Sequence, residues 1–344
     1  MASIKTRRRV VGLVLILAVL VGGGFVFKDS IRSVVDVITG AEYSGTGTSA
    51  VVITINAGET GEDVAKTLVA AGVTKSFSPT YREILRRNAE FFPGQYQLKT
   101  EMSSATAIEL LLTGGTRVET KVLIKEGWRA SQIFKALSKT YGVALADFEA
   151  VTPSDLGLPS SALNLDGYLF PATYAFVPGQ SALSMLKAMH QRMQQELSDL
   201  GVSESKAHRV LTLAALVQRE GRSSSDFSKM ARVFLNRIDI GMHLQSDATV
   251  SYGVNSNTVS TTAAQRANDN PWNTYLHAGL PAGPISAPGR AAIEAALNPA
   301  AGDWLYFCTV NLETGETEFN ATYAGHERSV AKWRAWMAAN PGWK

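Results

Sequence analysis

LAALVQREGR, residues 213–222, places a carboxylate at the end of an apolar helix. Helically spaced apolar residues lead up to Glu220, which stands in the last turn just before Gly221. The negative end of the helix dipole disfavours a carboxylate there by roughly 0.3–1 kcal/mol. If Glu220 is also buried in a cleft, desolvation raises its pKa, and a protonated carboxyl can serve as a general acid. A solvated surface glutamate is the alternative interpretation.

The second half of the chain, around this stretch, is predicted to be mostly helical. Apolar residues recur there at three- and four-residue intervals in segments that end at glycine or asparagine. Two short strands, DWLYFCTV (303–310) and ETEFN (316–320), precede the final helix. Cys308 lies in the first of them and is predicted to be a buried structural thiol. The predicted helices cover residues 181–201, 205–221, 224–241 and 325–340.

A small module is predicted over residues 51–118. A β-branched run, two helically periodic segments and the run GQYQLK (94–99) give the order strand, helix, helix, strand. Ser78 is a candidate cap of the second helix, with Pro79 at its first position. Residues 29–50 contain a Gly-, Ser- and Thr-rich segment that is typical of a linker.

An uncleaved membrane anchor is predicted at the N-terminus. Three arginines, Arg7–Arg9, precede the run Val10–Phe27, which contains no charged residue. A spanning helix needs about 20 apolar residues, with roughly 17 as the lower limit. The basic residues favour a cytoplasmic N-terminus, so residues 30–344 are expected on the extracytoplasmic side of the membrane. A cleaved signal peptide is the alternative, although its apolar core is about 7–15 residues long.

Composition and spacing argue against several classes of chemistry. The net charge is only +3, and no basic patch alternates with aromatic residues, so nucleic acid is not an expected partner. The five histidines contain no i, i+4 pair, and the single cysteine allows no intrachain disulfide, so neither a metal site nor a disulfide is expected. Neither a phosphate-binding loop nor a G-x-S-x-G elbow is present, and no cofactor is predicted.

Two long segments after Glu220, 241–253 and 270–286, are predicted to be functional loops. Both contain glycine together with polar and aromatic residues, and the second also contains proline. Flat rings combined with hydrogen-bonding groups suit a polar, ring-shaped ligand such as a sugar. A place in the core is the alternative for each aromatic residue. The candidate rings are Tyr252, Trp272 and Tyr275, and the candidate polar contacts are Gln245, Asp247 and Asn273.

At these residues the sequence resembles the endolytic murein transglycosylases, the YceG-like family. The membrane anchor and the opening stretch both take part in the resemblance. Its motifs occur in family order and together cover nearly all of residues 50–325. The motifs that carry it include FPGQYQL (92–98), VLIKEGWRASQI (122–133), LDGYLFPATYAF (165–176), ARVFLNRIDIGMHLQSDATVSYG (231–253) and NTYLHAGLPAGPIS (273–286).

The resemblance implies an α+β protein with four parts. It predicts a cytoplasmic tail and single transmembrane helix (1–28), a juxtamembrane linker (29–50), a LysM-like βααβ module (51–118) and a larger, mainly helical catalytic domain with short strands (119–344). The cell membrane is the implied location, with the N-terminus cytoplasmic and the catalytic domain outside. The implied partners are peptidoglycan strands and peptidoglycan synthase complexes. Acting beside these complexes, the protein would set glycan length.

The resemblance also implies a reaction. The family cleaves the β-1,4 bond between N-acetylmuramic acid and N-acetylglucosamine and leaves a 1,6-anhydro end. Its catalytic acid corresponds to Glu220, whereas Gln218 replaces an acidic residue of the family pattern. Segment 166–174 is expected to line or brace the cleft. A packed strand is the alternative, and Leu169 and Phe170 are expected to be structural. The residues implied as substrate contacts are Gln245, Asp247, Asn273 and Tyr275.

Two other functions stay open at this point. The first is a muramidase that hydrolyses the same bond and uses Asp247 to direct water. The second is a peptidoglycan-binding scaffold without catalytic activity, which the loss of an acidic residue at Gln218 would suit.

Overall fold

The computed structural model describes residues 40–343, except residues 57, 115, 119, 178, 222, 257 and 259. The described chain forms two compact units. The first comprises the residues up to 119 together with the short segment 177–179, and the second comprises residues 120–176 and 180–343. The predicted anchor, Val10–Phe27, lies outside the described residues. Within the described part of the chain, no helix has the length and apolar character needed to cross a membrane.

Within its described residues, the first unit contains a three-stranded antiparallel sheet and three helices. The sheet has the order β1–β2–β3, and Ile53 of β1 lies opposite Tyr96 of β2. Both side chains are buried in a core shared with the helices. The predicted order of strand, helix, helix and strand is therefore present. The elements are β1 (Ala50–Ile55), α1 (Gly61–Ala70), α2 (Phe77–Arg87), β2 (Gly94–Lys99), α3 (Ser104–Thr113) and β3 (Arg117–Val118).

The predicted start of the second helix is wrong by two residues. Ser76, not Ser78, precedes the first helical residue, Phe77, and Pro79 is the third residue of α2. Phe77 lies one turn before Tyr81, and their rings stack 5.3 Å apart. This aromatic pair extends the apolar face of the helix backward beyond the proline, which the first turn of a helix tolerates.

The second unit is mainly helical, with two separate two-stranded antiparallel sheets, β4–β5 and β6–β7. Its elements are β4 (Lys121–Leu123), α4 (Ala130–Tyr141), α5 (Leu145–Glu149), β5 (Thr173–Ala175), α6 (Ala182–Asp199), α7 (Glu204–Glu220), α8 (Phe227–Asp239), α9 (Asp247–Gly253), α10 (Ala263–Arg266), α11 (Arg290–Leu297), β6 (Tyr306–Thr309), β7 (Thr317–Asn320) and α12 (Tyr323–Ala339).

Helix α7 forms the centre of this unit. Every residue from Leu211 to Val217 is buried, so two turns are enclosed on all sides and not only along one apolar stripe. The helix packs against α8, α9 and α11. A helix that is apolar around its whole circumference is typical of a core position. The last residue of α7 is Glu220, so the predicted end of the helix is confirmed.

Two other expectations need correction, and a third, the structural role of Leu169 and Phe170, is confirmed. Segment 241–253 is a loop only in its first half, because α9 begins at Asp247. Cys308 is only half-buried, since it lies in a sheet of two strands that covers little of each residue. Within segment 166–174, Leu169 and Phe170 are buried core residues, and β5 begins after them, at Thr173.

Gln218 connects α7 to the start of α11. Its Oε1 accepts a hydrogen bond of 3.0 Å from the backbone N–H of Gly289, the residue that precedes α11. Gly289 is buried, so this donor has no free access to water. A buried N–H that loses its acceptor costs more than an average hydrogen bond contributes. Gln218 therefore has a structural role at this helix contact.

Gln218→Ala is expected to lower the free energy of unfolding by about 1–3 kcal/mol, because it leaves the Gly289 N–H without an acceptor. Gln218→Glu keeps an acceptor oxygen at the same place and is expected to cost much less. Urea denaturation followed by circular dichroism would measure both. Equal losses for the two variants would contradict the role assigned to the hydrogen bond.

Candidate active site

The end of α7 opens into a cleft of about 370 Å³ within the second unit. Its walls come from the C-terminal end of α7, from α8, from the segment before α9, and from the start of α12. The sheet β6–β7 supplies aromatic side chains. The lining residues are Glu220, Phe234, Arg237, Leu244, Gln245, Ser246, Asp247, Tyr275, Tyr306, Phe307, Tyr323 and His326.

The carboxyl of Glu220 is held in this cleft with its pKa raised. Desolvation is the largest cause, and the negative charge of Asp247 acts in the same direction. The hydroxyl of Ser246 donates a short hydrogen bond to Oε1, which lowers the pKa, as do the charges of Arg219 and Arg237, but the raising effects prevail. The position at the negative end of α7 also disfavours a carboxylate. Glu220 is thus suited to keep a proton.

The turn after Glu220 depends on a glycine. A Cβ added at Gly221 would lie 2.3 Å from a ring carbon of Phe227, the buried first residue of α8. The N–H of Gly221 donates to the carbonyl oxygen of Val217 at 2.9 Å, which closes the last turn of α7. The close approach of the Phe227 ring therefore permits only glycine here and determines where the helix ends.

Ser246 is positioned by the second predicted loop. Its backbone N–H donates to Oγ1 of Thr274 at 3.1 Å, and the N–H of Gln245 donates to the Thr274 carbonyl at 3.0 Å. The hydroxyls of Thr249 and Thr274 lie 2.8 Å apart and are buried. Gln245 has a φ of 50°, an unusual value for a residue other than glycine. Segments 241–253 and 270–286, both predicted to be functional loops, thus meet at the site.

Asp247 and Tyr275 form a second pair in the cleft. The Tyr275 hydroxyl donates to Oδ1 of Asp247 at 2.9 Å, and the Thr261 hydroxyl donates to the same oxygen at 2.5 Å. Burial, followed by the interaction with Asp247, raises the pKa of Tyr275 to about 12. The tyrosine therefore remains a neutral hydrogen-bond donor. Gln245, Asp247 and Tyr275 all line the cleft, where a substrate can reach them.

Asn273 does not line the cleft. It is 0% exposed, and its amide nitrogen donates to the carbonyl oxygens of Arg266 and Asn268 at 2.9 and 2.7 Å. Its Oδ1 accepts from the N–H of Tyr275 at 3.0 Å. The substrate contact expected of Asn273 is therefore replaced by a structural role, in which the amide holds the loop that carries Tyr275.

Two of the three candidate rings also have other roles. Tyr252 and Trp272 pack against each other, with ring centroids 5.2 Å apart, and do not line the cleft. The Tyr252 hydroxyl donates to Asp166 at 2.7 Å, and Asp166 also accepts from the backbone N–H of Ala130, at 2.6 Å. Segment 166–174 therefore braces α4 and α9 through Asp166, one of the two roles expected of it.

Eight of the twelve lining residues were not predicted from the sequence as site residues, and five of these eight carry polar groups. Arg237 and Ser246 lie inside a motif that was recognised, but no periodicity or spacing marks them as cleft residues. The other three are aromatic and come from the C-terminal strands and helix, far from Glu220 along the chain. The sequence offered one signal for them, namely that β6 and α12 each begin with a tyrosine. These three residues are Tyr306, Tyr323 and His326.

Two relatives of known name match most of the chain in sequence. An endolytic murein transglycosylase of Bacillus subtilis is 28% identical over 337 residues, which cover 91% of each chain. Another protein of that name, from Streptococcus pneumoniae, is 28% identical over 324 residues, which cover 82% of this chain and 58% of the relative. The second relative is thus considerably longer than the part that this chain matches.

A solved structure agrees with the fold. The crystal structure of a YceG-like protein from Listeria monocytogenes superposes with a TM-score of 0.53 and 29% sequence identity, and covers 82% of this chain and 99% of that one. The profile of the YceG-like family matches residues 53–332, which cover most of both units and all the cleft residues. This protein therefore belongs to the YceG-like family.

Proposed function

We propose that this protein is a membrane-anchored, endolytic peptidoglycan lytic transglycosylase. The observation that carries the proposal is the carboxyl of Glu220, desolvated at the negative end of α7 and bonded to Ser246 in a polar cleft. The names of the relatives, at 28% identity, support the same reaction class. The substrate is the β-1,4 bond between N-acetylmuramic acid and N-acetylglucosamine, and nascent glycan strands are its source.

Glu220 acts first as an acid and then as a base. Its proton passes to the glycosidic oxygen as the bond between that oxygen and the anomeric carbon of the muramyl residue breaks. The carboxylate that remains then accepts the proton of the C6 hydroxyl of the same sugar, whose oxygen forms the new bond to the anomeric carbon. The product is a 1,6-anhydro end, and no water is consumed. Because the nucleophile belongs to the reacting sugar, proximity replaces a second catalytic carboxylate.

The arrangement of the acidic residues suits a mechanism with one carboxyl. Gln218, at the family's other acidic position, bonds to Gly289 and does not line the cleft. Asp247 is the other carboxylate in the cleft, and its Oδ1 already accepts hydrogen bonds from Tyr275 and Thr261. Retaining and inverting glycosidases both need a second carboxylate that is free to act as nucleophile or base. Hydrolysis directed by Asp247 is therefore the less favoured reaction.

The N-terminal parts are proposed to place the enzyme at its substrate. Residues 10–27 anchor the chain in the cell membrane, and the βααβ unit at 51–118 is a LysM-like module that contacts peptidoglycan. The catalytic unit then acts on strands outside the membrane, beside peptidoglycan synthase complexes. A scaffold without activity would share these features, but it would not need a carboxyl group with a raised pKa in its cleft.

Glu220→Gln is expected to abolish the formation of anhydromuramyl ends, with a loss of activity of about 10²–10⁴-fold or more, because the amide cannot transfer a proton. The test is mass spectrometry of uncrosslinked glycan strands after incubation with the full chain in detergent. Products of the wild type are expected to be lighter by one water than reducing ends. Glu220→Asp serves as a control that keeps an acid but shortens its reach.

The possible products separate the candidate functions. Reducing ends from the wild type would indicate hydrolysis and direct attention to Asp247. Equal activity of the wild type and Glu220→Gln would exclude Glu220 as the acid. Binding of strands with no product from either protein would favour the scaffold.

Two neighbouring substitutions are expected to shift the pH profile in opposite directions. Activity needs protonated Glu220, so it falls as the pH rises through the pKa of this group. Asp247→Asn removes a negative charge that raises this pKa, so the alkaline limb of kcat/KM is expected to move to lower pH. Ser246→Ala removes a hydrogen bond that lowers it, so the limb is expected to move to higher pH. Shifts of the same sign would contradict this assignment.

Glu220 is also expected to reduce stability at neutral pH. Between the ordinary pKa of a glutamate and the raised value, the folded state binds more protons than the unfolded state, so stability falls as the pH rises through this window. Glu220→Gln cannot ionise and is expected to melt at a higher temperature than the wild type at pH 7. The difference is expected to disappear below about pH 4, where the unfolded glutamate is also protonated. An equal difference at both pH values would contradict the linkage.

A further inference from the structure

Three aromatic rings from the C-terminal part of the chain form one cluster in the cleft. The rings of Tyr306 and His326 are nearly parallel, with centroids 5.3 Å apart. Tyr323 lies 5.8 Å from Tyr306 and 6.2 Å from His326, measured between ring centroids. All three line the same cleft as Glu220. The catalytic mechanism proposed above does not use any of them.

One ring of the cluster, that of Tyr306, is held in place, and another, that of Tyr323, is open. Arg237 lies over the ring of Tyr306, 5.5 Å from its centroid, and donates to the carbonyl oxygens of Leu305 and Leu244 at 2.7 and 2.6 Å. These bonds fix the guanidinium behind the ring. Tyr323, in contrast, is 60% exposed. A cluster of large aromatic side chains that stays open to solvent in a cleft is typical of a binding site.

Tyr306 and His326 form a nearly parallel pair, and the ring of Tyr323 is turned by 66° from that of Tyr306 and by 48° from that of His326. Burial, and then the positive charge of Arg237, lower the pKa of His326, so its imidazole remains neutral. An aromatic surface matches the C–H face of a pyranose ring, while the hydroxyl and imidazole groups at its edge can bond to sugar hydroxyls or acetamido groups.

We infer that Tyr306, Tyr323 and His326 form a sugar-binding subsite that stacks against an N-acetylhexosamine ring next to the bond to be cleaved. The inference rests on the proposed function, because it takes the glycan strand as the occupant of the cleft. Continuity supports this choice, since the rings and Glu220 line one cavity of about 370 Å³, a volume suited to a short run of sugar residues. Tyr323 supplies the exposed stacking face.

The test measures binding without turnover. Every variant carries Glu220→Gln, and the probe is a soluble tetramer of N-acetylglucosamine titrated into the full chain by calorimetry. Adding Tyr323→Leu is expected to raise Kd about tenfold, because it removes the ring but keeps an apolar side chain. Adding Tyr323→Phe keeps the ring and is expected to change Kd by less than about threefold. Trp343→Ala is the matched control, since Trp343 is 40% exposed but does not line the cleft.

The outcomes separate the subsite from the reaction. Equal affinity of Tyr323→Leu and its parent, with intact folding by near-ultraviolet circular dichroism, would overturn the subsite while leaving the lytic activity of the wild type untouched. Weaker binding by Tyr323→Leu alone would support the subsite even if the wild type cleaved no bond. If Tyr323→Leu and Trp343→Ala weakened binding of the tetramer equally, the effect would be a general one of aromatic truncation, which would contradict the inference. A parent that binds no tetramer would overturn the subsite, and the product masses would still decide the proposed function.

Discussion

The complete burial of two turns of α7 is the constraint on which the catalytic unit depends. Residues from Leu211 to Val217 are enclosed by α8, α9 and α11, so this helix can neither rotate nor slide without opening the core. Close packing of this kind transmits position accurately along a helix. The next turn therefore delivers Glu220 to one place, and the contact between Gly221 and Phe227 ends the helix there. The cleft is built around that fixed carboxyl.

Position on this helix also explains why two residues so close in sequence have different roles. Gln218 and Glu220 are separated by about 200° around the helix axis, so they point to opposite sides. One side faces the start of α11, where Gln218 bonds to the N–H of Gly289. The other side faces the cleft, where Ser246 bonds to Glu220. An acidic residue at position 218 would therefore reach the helix contact and not the bond to be cleaved.

The cleft combines a costly carboxyl with a network that holds it. The Glu220 side chain is desolvated next to the charge of Asp247, which is unfavourable for a carboxylate. The compensating bond from Ser246 requires that the serine itself be fixed, and Thr274 fixes it through two backbone contacts with residues 245 and 246. Such unfavourable placement is typical of sites where function opposes stability. The two loops thus hold the groups that surround the carboxyl of Glu220.

The sequence alone determined the features that depend on neighbouring residues. Helical periodicity, the terminal glycine and the strand runs predicted the βααβ order, the long helices and a carboxyl group at the end of α7. Only the tertiary structure decided which side chains meet. Ser246 and Glu220 are 26 residues apart, and Gln218 and Gly289 are 71 apart, so no local pattern couples them. The same limit applies to Tyr323, which folding brings into the cleft. Asn273 bonds to carbonyls only five and seven residues away, but in an irregular segment that no helix or strand periodicity describes. Local spacing encodes which face of an element is apolar, whereas contacts between distant segments depend on how those faces pack together.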